Sequence, residues 1–376
     1  MWMVGCRLLT SERLEQVSIK LAIPIALDTQ LAGGFDDHLA AEWDALLSTS
    51  DADTVFLTSA WLRAWQETLY TRGRLMVAQV RANNRLIGAA AFHEIDGVVQ
   101  FAGRGPSDYS DIVLASGLEL STAQWVVDEL LTAAAKDTAR FRHFSLDRVP
   151  AESRSLLSLQ AGGSRYYCTV SETIRAPTMD MSVVDDRLRK KSLQRHDRGL
   201  SRRGTLVSET LTDADDILPI LDPFFEQHVE RWLPTQYPSL FTKAEYREFY
   251  RRVTIRLGPS GVLRFTTIRL DGTLVAAHFG FLQAGRFTWY KPSFDPALAH
   301  LSPGEVLIKR LLERAKQEGA AEFDFTIGDE PFKLRFATRV RDVVRVHVTD
   351  SLRKARIKRL RVFAKKRIES IRRSAD

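Results

Sequence analysis

The chain has 376 residues, 44% hydrophobic and 27% charged, enough for two domains with separate cores and outside the disordered and fibrous classes. No apolar run reaches the roughly 18–20 residues of a bilayer-spanning helix, and the start MWMVGCRLLTSERLEQ has no small-residue cleavage site, so a cytoplasmic protein is expected. The net charge of +7 gives little reason to expect nucleic acid as a partner: residues 350–376 hold eleven Lys or Arg against three Asp or Glu, a net +8, which leaves −1 for the rest.

Residues 1–20 show no convincing period and read as an extension. LAIPIALD, from Leu21, reads as a first strand, with Pro24 placing it at an edge. Asp36 to Leu47 reads as a helix with Leu39, Trp43 and Leu46 on one face. TVFLTSAWLRAWQETL, from Thr54, reads as a second helix, with Ser59 expected as its N-cap and Trp61, Ala64 and Trp65 at helical spacing. A strand pair covers 74–101, and GRGPSDYSDIVLA, from Gly103, is a Gly/Pro loop leading into a short strand. STAQWVVDELLTAAAK, from Ser121, is a helix, and FRHFSLDRV, from Phe141, returns as a strand.

The same order then recurs. VRANNRLIGAAAFHEIDGVVQF, from Val80, and IRLDGTLVAAHFGFLQAGRFTWY, from Ile268, share one pattern of apolar–Arg, polar turn, small-residue strand, second turn and aromatic strand. In the second copy, strands at 261–270 and 273–282 flank Asp271-Gly272, a hairpin signal, and a third strand closes at Tyr290. SPGEVLIKRLLERAKQEG is expected as a helix with Ser302 as N-cap, Pro303 at its first position, Glu305 closing a capping box and Gly319 ending it. AEFDFTI, from Ala321, is the returning strand. The chain therefore reads as α/β with mixed sheets, built from a duplicated unit with a boundary near Pro177. Between the copies lie a basic helix, DDRLRKKSLQRHDRGLSRRG from Asp185, and helical stretches around Phe224–Trp232 and Lys243–Ile255. In the tail, Ile357, Leu360, Ala364, Ile368, Ile371 and Ala375 recur at steps of three and four among Lys and Arg. That is a basic amphipathic helix, suited to an anionic membrane surface or to docking its stripe on the domain.

Three stretches carry a resemblance to a known family: VFLTSAWLRAW, DRLRKKSLQRHDRGLSRRG, and HLSPGEVLIKRLLERAKQEGAAEFDFTIGDEPFKLRFA. Together they resemble the double-GNAT architecture of FemABX-type proteins, and most closely the CelD-like acetyltransferases of polysaccharide biosynthesis. The resemblance implies two tandem GNAT-like domains, 21–178 and 179–349, between an extension at 1–20 and a basic amphipathic tail at 350–376. It implies transfer of an acyl group from acetyl-CoA or another acyl-CoA to an amine or hydroxyl of a sugar or polysaccharide precursor. Aminoacyl-tRNA, the donor of FemABX relatives, and a non-catalytic subunit of a polysaccharide assembly are the alternatives. One departure bears on the donor: the glycine-rich pyrophosphate loop of ordinary GNAT domains is replaced by ALAHLSPGE, with Gly304 its only glycine.

Acyl transfer needs an aligned donor, an acceptor that loses a proton and a leaving thiolate that gains one. By family position Leu301, Ser302, Pro303 and Gly304 form the helix mouth that holds the donor phosphates, although Ser302 and Glu305 are equally explained as capping residues. Tyr290 has the chemistry of a general acid or of an interfacial aromatic; His278 that of a base or of a satisfied strand histidine. Asp324, Asp329 and Lys333 cluster at the end of the returning strand as a carboxylate base with a cation beside it, and Glu330 joins Asp108, Tyr109 and Asp111 of the first unit as acceptor-binding candidates. The competing explanation is a solvated turn with a local ion pair. No metal is implied, since the histidines lack ligand spacing, and the cysteines, Cys6 and Cys168, are too few for a zinc site.

Overall fold

The structure, a computed structural model, describes residues 27–235 and 238–373, with side chains throughout except at 366 and 369–373. Cys6, Ala375, most of the expected strand at Leu21 and the side chain of Ile371 lie outside the described residues. The strands are β1 (Leu27–Ala32), β2 (Arg74–Ala82), β3 (Arg85–Ile95), β4 (Val98–Phe101), β5 (Val113–Leu114), β6 (His143–Pro150), β7 (Tyr167–Asp180), β8 (Leu206–Leu211), β9 (Leu263–Leu270), β10 (Thr273–Gln283), β11 (Arg286–Phe294), β12 (Glu322–Asp324) and β13 (Arg339–Thr349). Among the described residues they form one continuous sheet in the order β1-β2-β3-β4-β6-β13-β7-β12-β11-β10-β9-β8, with β5 paired to β3.

That order is nearly a palindrome. Each half is an antiparallel run of four strands followed by a parallel step, β4 to β6 and β11 to β12. The parallel step needs a crossover helix. These are α3 (Leu120–Asp137) and its counterpart α9 (Pro303–Gln317), which the sequence repeat identifies. The last strand of each half crosses over: β7 pairs with β12, β13 pairs with β6, and the two pair with each other from Arg339↔Thr178 to Thr349↔Tyr167. The halves thus share one sheet and cannot separate without breaking that ladder.

Helix α1 (Asp37–Leu47) packs on β3, β5 and α2 (Ser59–Thr68), α2 packs against α8 (Ala244–Leu257), and α8 against α7 (Ala214–Trp232), placing the first half's tryptophans and the second half's phenylalanines in one core. Trp61 meets Phe249 edge-on at 5.0 Å. The expected cap at Ser59 is corrected by one residue: Thr58 accepts from Trp61 N–H, while the N–H and hydroxyl of Ser59 both bind Asp44. The basic segment breaks into α5 (Val184–Leu188) and α6 (Lys191–Ser201), and α6 buries Leu193 and Leu200 beside α9. Strand β8 is absent from the sequence reading. The remaining helices are α4 (Arg154–Gln160), α10 (Pro331–Leu334) and α11 (Leu352–Arg373). No helix among the described residues is long and apolar enough to cross a membrane.

Candidate active site

The site begins with a bulge. Along β10 and β11 the register runs Phe279↔Lys291 and then Phe281↔Thr288, so Trp289 and Tyr290 oppose the single residue Gly280. A bulge orphans backbone groups, and here Tyr290 N–H donates to Nε2 of His278 at 3.1 Å. The imidazole lies over Gly280, where a Cβ would stand 2.0 Å from His278 Cε1 and 2.6 Å from Thr288 O. His-x-Gly on β10 therefore makes the bulge, and the bulge turns β11 away from its parallel partner. Pairing with β12 ends at Thr288↔Asp324, and beyond it the sheet opens.

The opening is a cleft of about 650 Å³ lined by Trp232, Phe241, Trp289, Phe294 and Phe332, with the start of α9 at its mouth. Two residues on opposite walls, Ser302 (φ 55°) and Thr326 (φ 56°), hold left-handed backbone. For the β-branched Thr326 that conformation is strained, a condition that clusters at functional sites. At Ser302 it overturns the expected capping box: the Ser302 side chain makes no cap bond, and the carboxylate of Glu305 turns away to Arg335. The first turn of α9 is thereby left without a side-chain cap. Glu305 lines the cleft with Oε1 paired to Arg335 and Oε2 without a partner among the described residues, so a phosphate there would depend on the backbone N–H groups and on nearby cations.

In the first half the equivalent opening is closed. β4 stops at Phe101, and the chain leaves the sheet through residues 103–112. This loop seats itself between β4 and β6: Ser110 N–H donates to Arg148 O at 2.9 Å, and Trp65 Nε1 to Arg104 O at 3.0 Å. Only about 160 Å³ remains. The loop continues across to the open half, where Pro106 O accepts the Tyr290 hydroxyl at 2.5 Å and Tyr109 donates to Asp324 Oδ1 at 2.8 Å.

These bonds decide what each expected site residue can do. Tyr290 lines the cleft, but its hydroxyl is shared between Pro106 O and the Tyr250 hydroxyl, and burial drives its pKa well above the usual tyrosine range. His278 is corrected from catalytic base to structural residue: it is fully buried outside the cleft, its Nε2 is taken, and burial lowers its pKa to about 3. Asp329 is solvent-exposed and does not line the cleft. Lys333 is buried and lines the cleft beside Glu330, with which it pairs, and it donates to Ile327 O, so it also braces the loop after β12. Ser302, Gly304 and Asp108 line the cleft; Leu301 and Pro303 pack in the core beneath.

Asp324, Tyr109 and Asp111 belong to a second cavity of about 460 Å³ between the halves, which they share with Arg154, Arg286 and Arg341. Asp324 is fully buried; Oδ1 accepts from Tyr109 and from Thr326 N–H, while Oδ2 has no partner among the described residues. Burial pushes its carboxyl above the usual range, against the pull of Arg286. Burial likewise raises Asp111 to about 6, although Ser153, Ser155 and Ile112 N–H bind it. Asp324 is the last paired residue before the opening and lines the second cavity, and two residues on Thr326 lines the cleft.

The sequence reading missed His228, Arg231, Trp232 and Lys291, all cleft residues. The first three stand at i, i+3 and i+4 on α7, a spacing that marks one face. Arg231 lies 4.4 Å from the Phe294 ring with no carboxylate partner among the described residues. Lys291 sits over the Tyr290 ring at 4.1 Å, and burial lowers its pKa despite Asp108 nearby. Burial also lowers His228 to about 3. Histidines held neutral in the fold but protonated at about 6.5 when unfolded favour the unfolded state as pH falls, so stability is lost between pH 6.5 and the folded pKa. For His228 and His278 this is on the order of 3 kcal/mol each by pH 4. Denaturant titrations at pH 7 and 4 are expected to show a smaller acid loss in His228→Gln than in the natural chain.

Residues 187–334 match the family profile described as Acetyltransferase (GNAT) domain. No curated protein matches the chain. Among solved structures, the chain is similar to FemX, at 11% identity and TM-score 0.59 over 85% of this chain and 96% of that one. It is also similar to L-PGS from Bacillus licheniformis, at 11% identity and TM-score 0.56 over 89% and 98%. A C-terminal domain assigned to a lysylphosphatidylglycerol synthetase from Agrobacterium fabrum matches at 12% identity and TM-score 0.56 over 85% and 94%. The chain therefore has a duplicated GNAT-like fold, with a GNAT acetyltransferase-type domain covering most of its second half.

Proposed function

We propose that the protein is an acyltransferase that binds an acyl-CoA in the cleft between β11 and β12 and acylates an amine or hydroxyl of a saccharide held in the second cavity. The observation that carries the reading is the bulge-opened cleft, which has an uncapped helix start at one wall and, two residues before its lining residue Thr326, the buried carboxylate of Asp324 in the adjoining second cavity. The donor's phosphates would meet the first turn of α9, with Arg231, Lys291 and Lys333 as cations lining the cleft, and its acyl arm would lie along Trp289 and Phe294. The second cavity offers carboxylates, guanidinium groups and the hydroxyls of Tyr109, Ser110, Ser153 and Ser155, a set suited to a polyhydroxylated acceptor. Asp324 Oδ2 would take the proton from the acceptor's amine or hydroxyl as that nitrogen or oxygen attacks the thioester carbonyl; the C–S bond then breaks, and the thiolate takes a proton from water while Asp324 returns its own to solvent.

A second reading, an aminoacyl-tRNA donor, is favoured by α6, whose Lys191, Arg195 and Arg198 are solvent-exposed while Asp197 is tied to Lys309 and Arg310 of α9. Release of free thiol from acetyl-CoA, measured over a panel of amino sugars and neutral saccharides, tests the first reading. Acceptor-dependent release supports it. Transfer from charged tRNA with no thiol release from any acyl-CoA would replace it with the second.

A further inference from the structure

The C-terminal helix α11 leaves the sheet and packs against β7 and β13. Its docked side is short: Ala355 is buried, Lys358 and Val362 are half-buried, and Arg359 and Lys354 donate to Cys168 O and Arg142 O at 3.4 Å. The apolar stripe expected from the sequence is on the other side. Ile357 is 42% exposed, Leu360 70%, Phe363 64% and Ile368 53%, with Ala364 exposed between them. Docking on the domain therefore does not account for this stripe. Arg353, Arg356 and Arg367 are exposed on the same face, between these side chains, and Arg361 is exposed at its edge.

We infer that this helix lies in the plane of an anionic lipid surface, with Ile357, Leu360, Phe363 and Ile368 inserted at the acyl boundary and the arginines between them extending their long side chains back to the phosphates. The combination selects the partner. Cations alone would suit RNA equally, but RNA offers no apolar phase for four large exposed side chains, whereas a bilayer interface offers an apolar and an anionic layer at once. A second copy of the chain would supply apolar surface but would bring a net +8 segment against another +8 segment. The inference is independent of the proposed reaction, because it concerns a different surface and is read by binding alone.

The test is flotation of the full chain with vesicles of neutral phosphatidylcholine and with vesicles containing about one-third phosphatidylglycerol. The expected result is at least about tenfold stronger partition to the anionic vesicles, lost in Leu360→Ser/Phe363→Ser and in Arg361→Glu/Arg367→Glu. All four positions are solvent-exposed, so the fold is not at stake, and circular dichroism checks it. Equal partition to both vesicles, no flotation, or unchanged flotation of the Leu360→Ser/Phe363→Ser variant would overturn the inference. So would tRNA binding that persists in that variant but falls with Arg361→Glu/Arg367→Glu, which would make the segment an RNA contact. A natural chain that elutes as a dimer and becomes a monomer on Leu360→Ser/Phe363→Ser would make it a self-association surface.

Discussion

Gly280→Ala is expected to destabilise the protein by about 3 kcal/mol or more, in the upper range for overpacking. The added methyl would meet His278 Cε1 at 2.0 Å, Thr288 O at 2.6 Å and His278 Nε2 at 2.7 Å. Two of these three contacts are to one imidazole, so the cost should couple to His278. His278→Ala alone removes the acceptor of Tyr290 N–H and leaves that buried donor unpaired, a penalty of roughly 1–3 kcal/mol. Combined with Gly280→Ala it removes the imidazole contacts and leaves only Thr288 O. The double variant is therefore expected to be more stable than the sum of the single losses predicts, by at least about 1 kcal/mol in denaturant titrations. Strict additivity would mean that the imidazole does not hold the bulge.

Asp324→Asn is expected to lower kcat by about 10²–10⁴-fold, the range for loss of a positioned general base, while donor affinity stays within about twofold. The amide keeps the Oδ1 acceptor for Tyr109 and Thr326 N–H, so the wall between the cavities should survive the change. The pH profile separates chemistry from packing. A base must be ionised, so the activity of the natural enzyme should fall as pH falls through the Asp324 pKa, with the limb above the usual carboxylate range because burial raises that pKa. In the variant this limb should be missing from whatever activity remains. Near-normal turnover with the limb intact would move the base elsewhere, with Asp108 at the cleft wall the next candidate.

Much of this architecture was legible in the sequence because the two hairpin units are spelled alike and the crossover helices carry their own periods. The turn at Asp271-Gly272 and the apolar faces of α3 and α9 behave as local rules require. The exchange of β7 and β13 between the halves was not legible, because pairing such as Arg339↔Thr178 and Thr349↔Tyr167, between strands so distant in the chain, leaves no trace in spacing. β8 was missed because LVSETL mixes exposed and half-buried residues at a sheet edge, without the alternation that marks a strand.

The site divides in the same way. The mouth at Ser302–Gly304 could be placed from the Ser-Pro-Gly motif and the family resemblance. The role of Ser302 could not, because Ser, Pro and Glu in that order spell a capping box whether or not the backbone enters the left-handed region. His278 reads equally as a base or as a satisfied strand histidine, and only the bulge opposite Gly280, which spacing does not show, gives its imidazole a backbone N–H to accept. The most informative missed signal is on α7, where Phe224–Trp232 reads as helical and carries His228, Arg231 and Trp232 at i, i+3 and i+4, but nothing in that spacing tells a face on a cleft from a face on the core.

The most direct test of the central claim is isothermal titration of acetyl-CoA into the full chain and into Gly304→Asp. A side chain fits at 304, since a Cβ there would lie 3.5 Å from Phe294, an ordinary contact, but a carboxylate would face the position assigned to phosphate. One saturable site, with a dissociation constant between about 1 µM and 1 mM in the natural chain and at least about tenfold weaker binding in the variant, is the result the cleft predicts. No heat at millimolar acetyl-CoA, or equal binding by the two proteins, would contradict it.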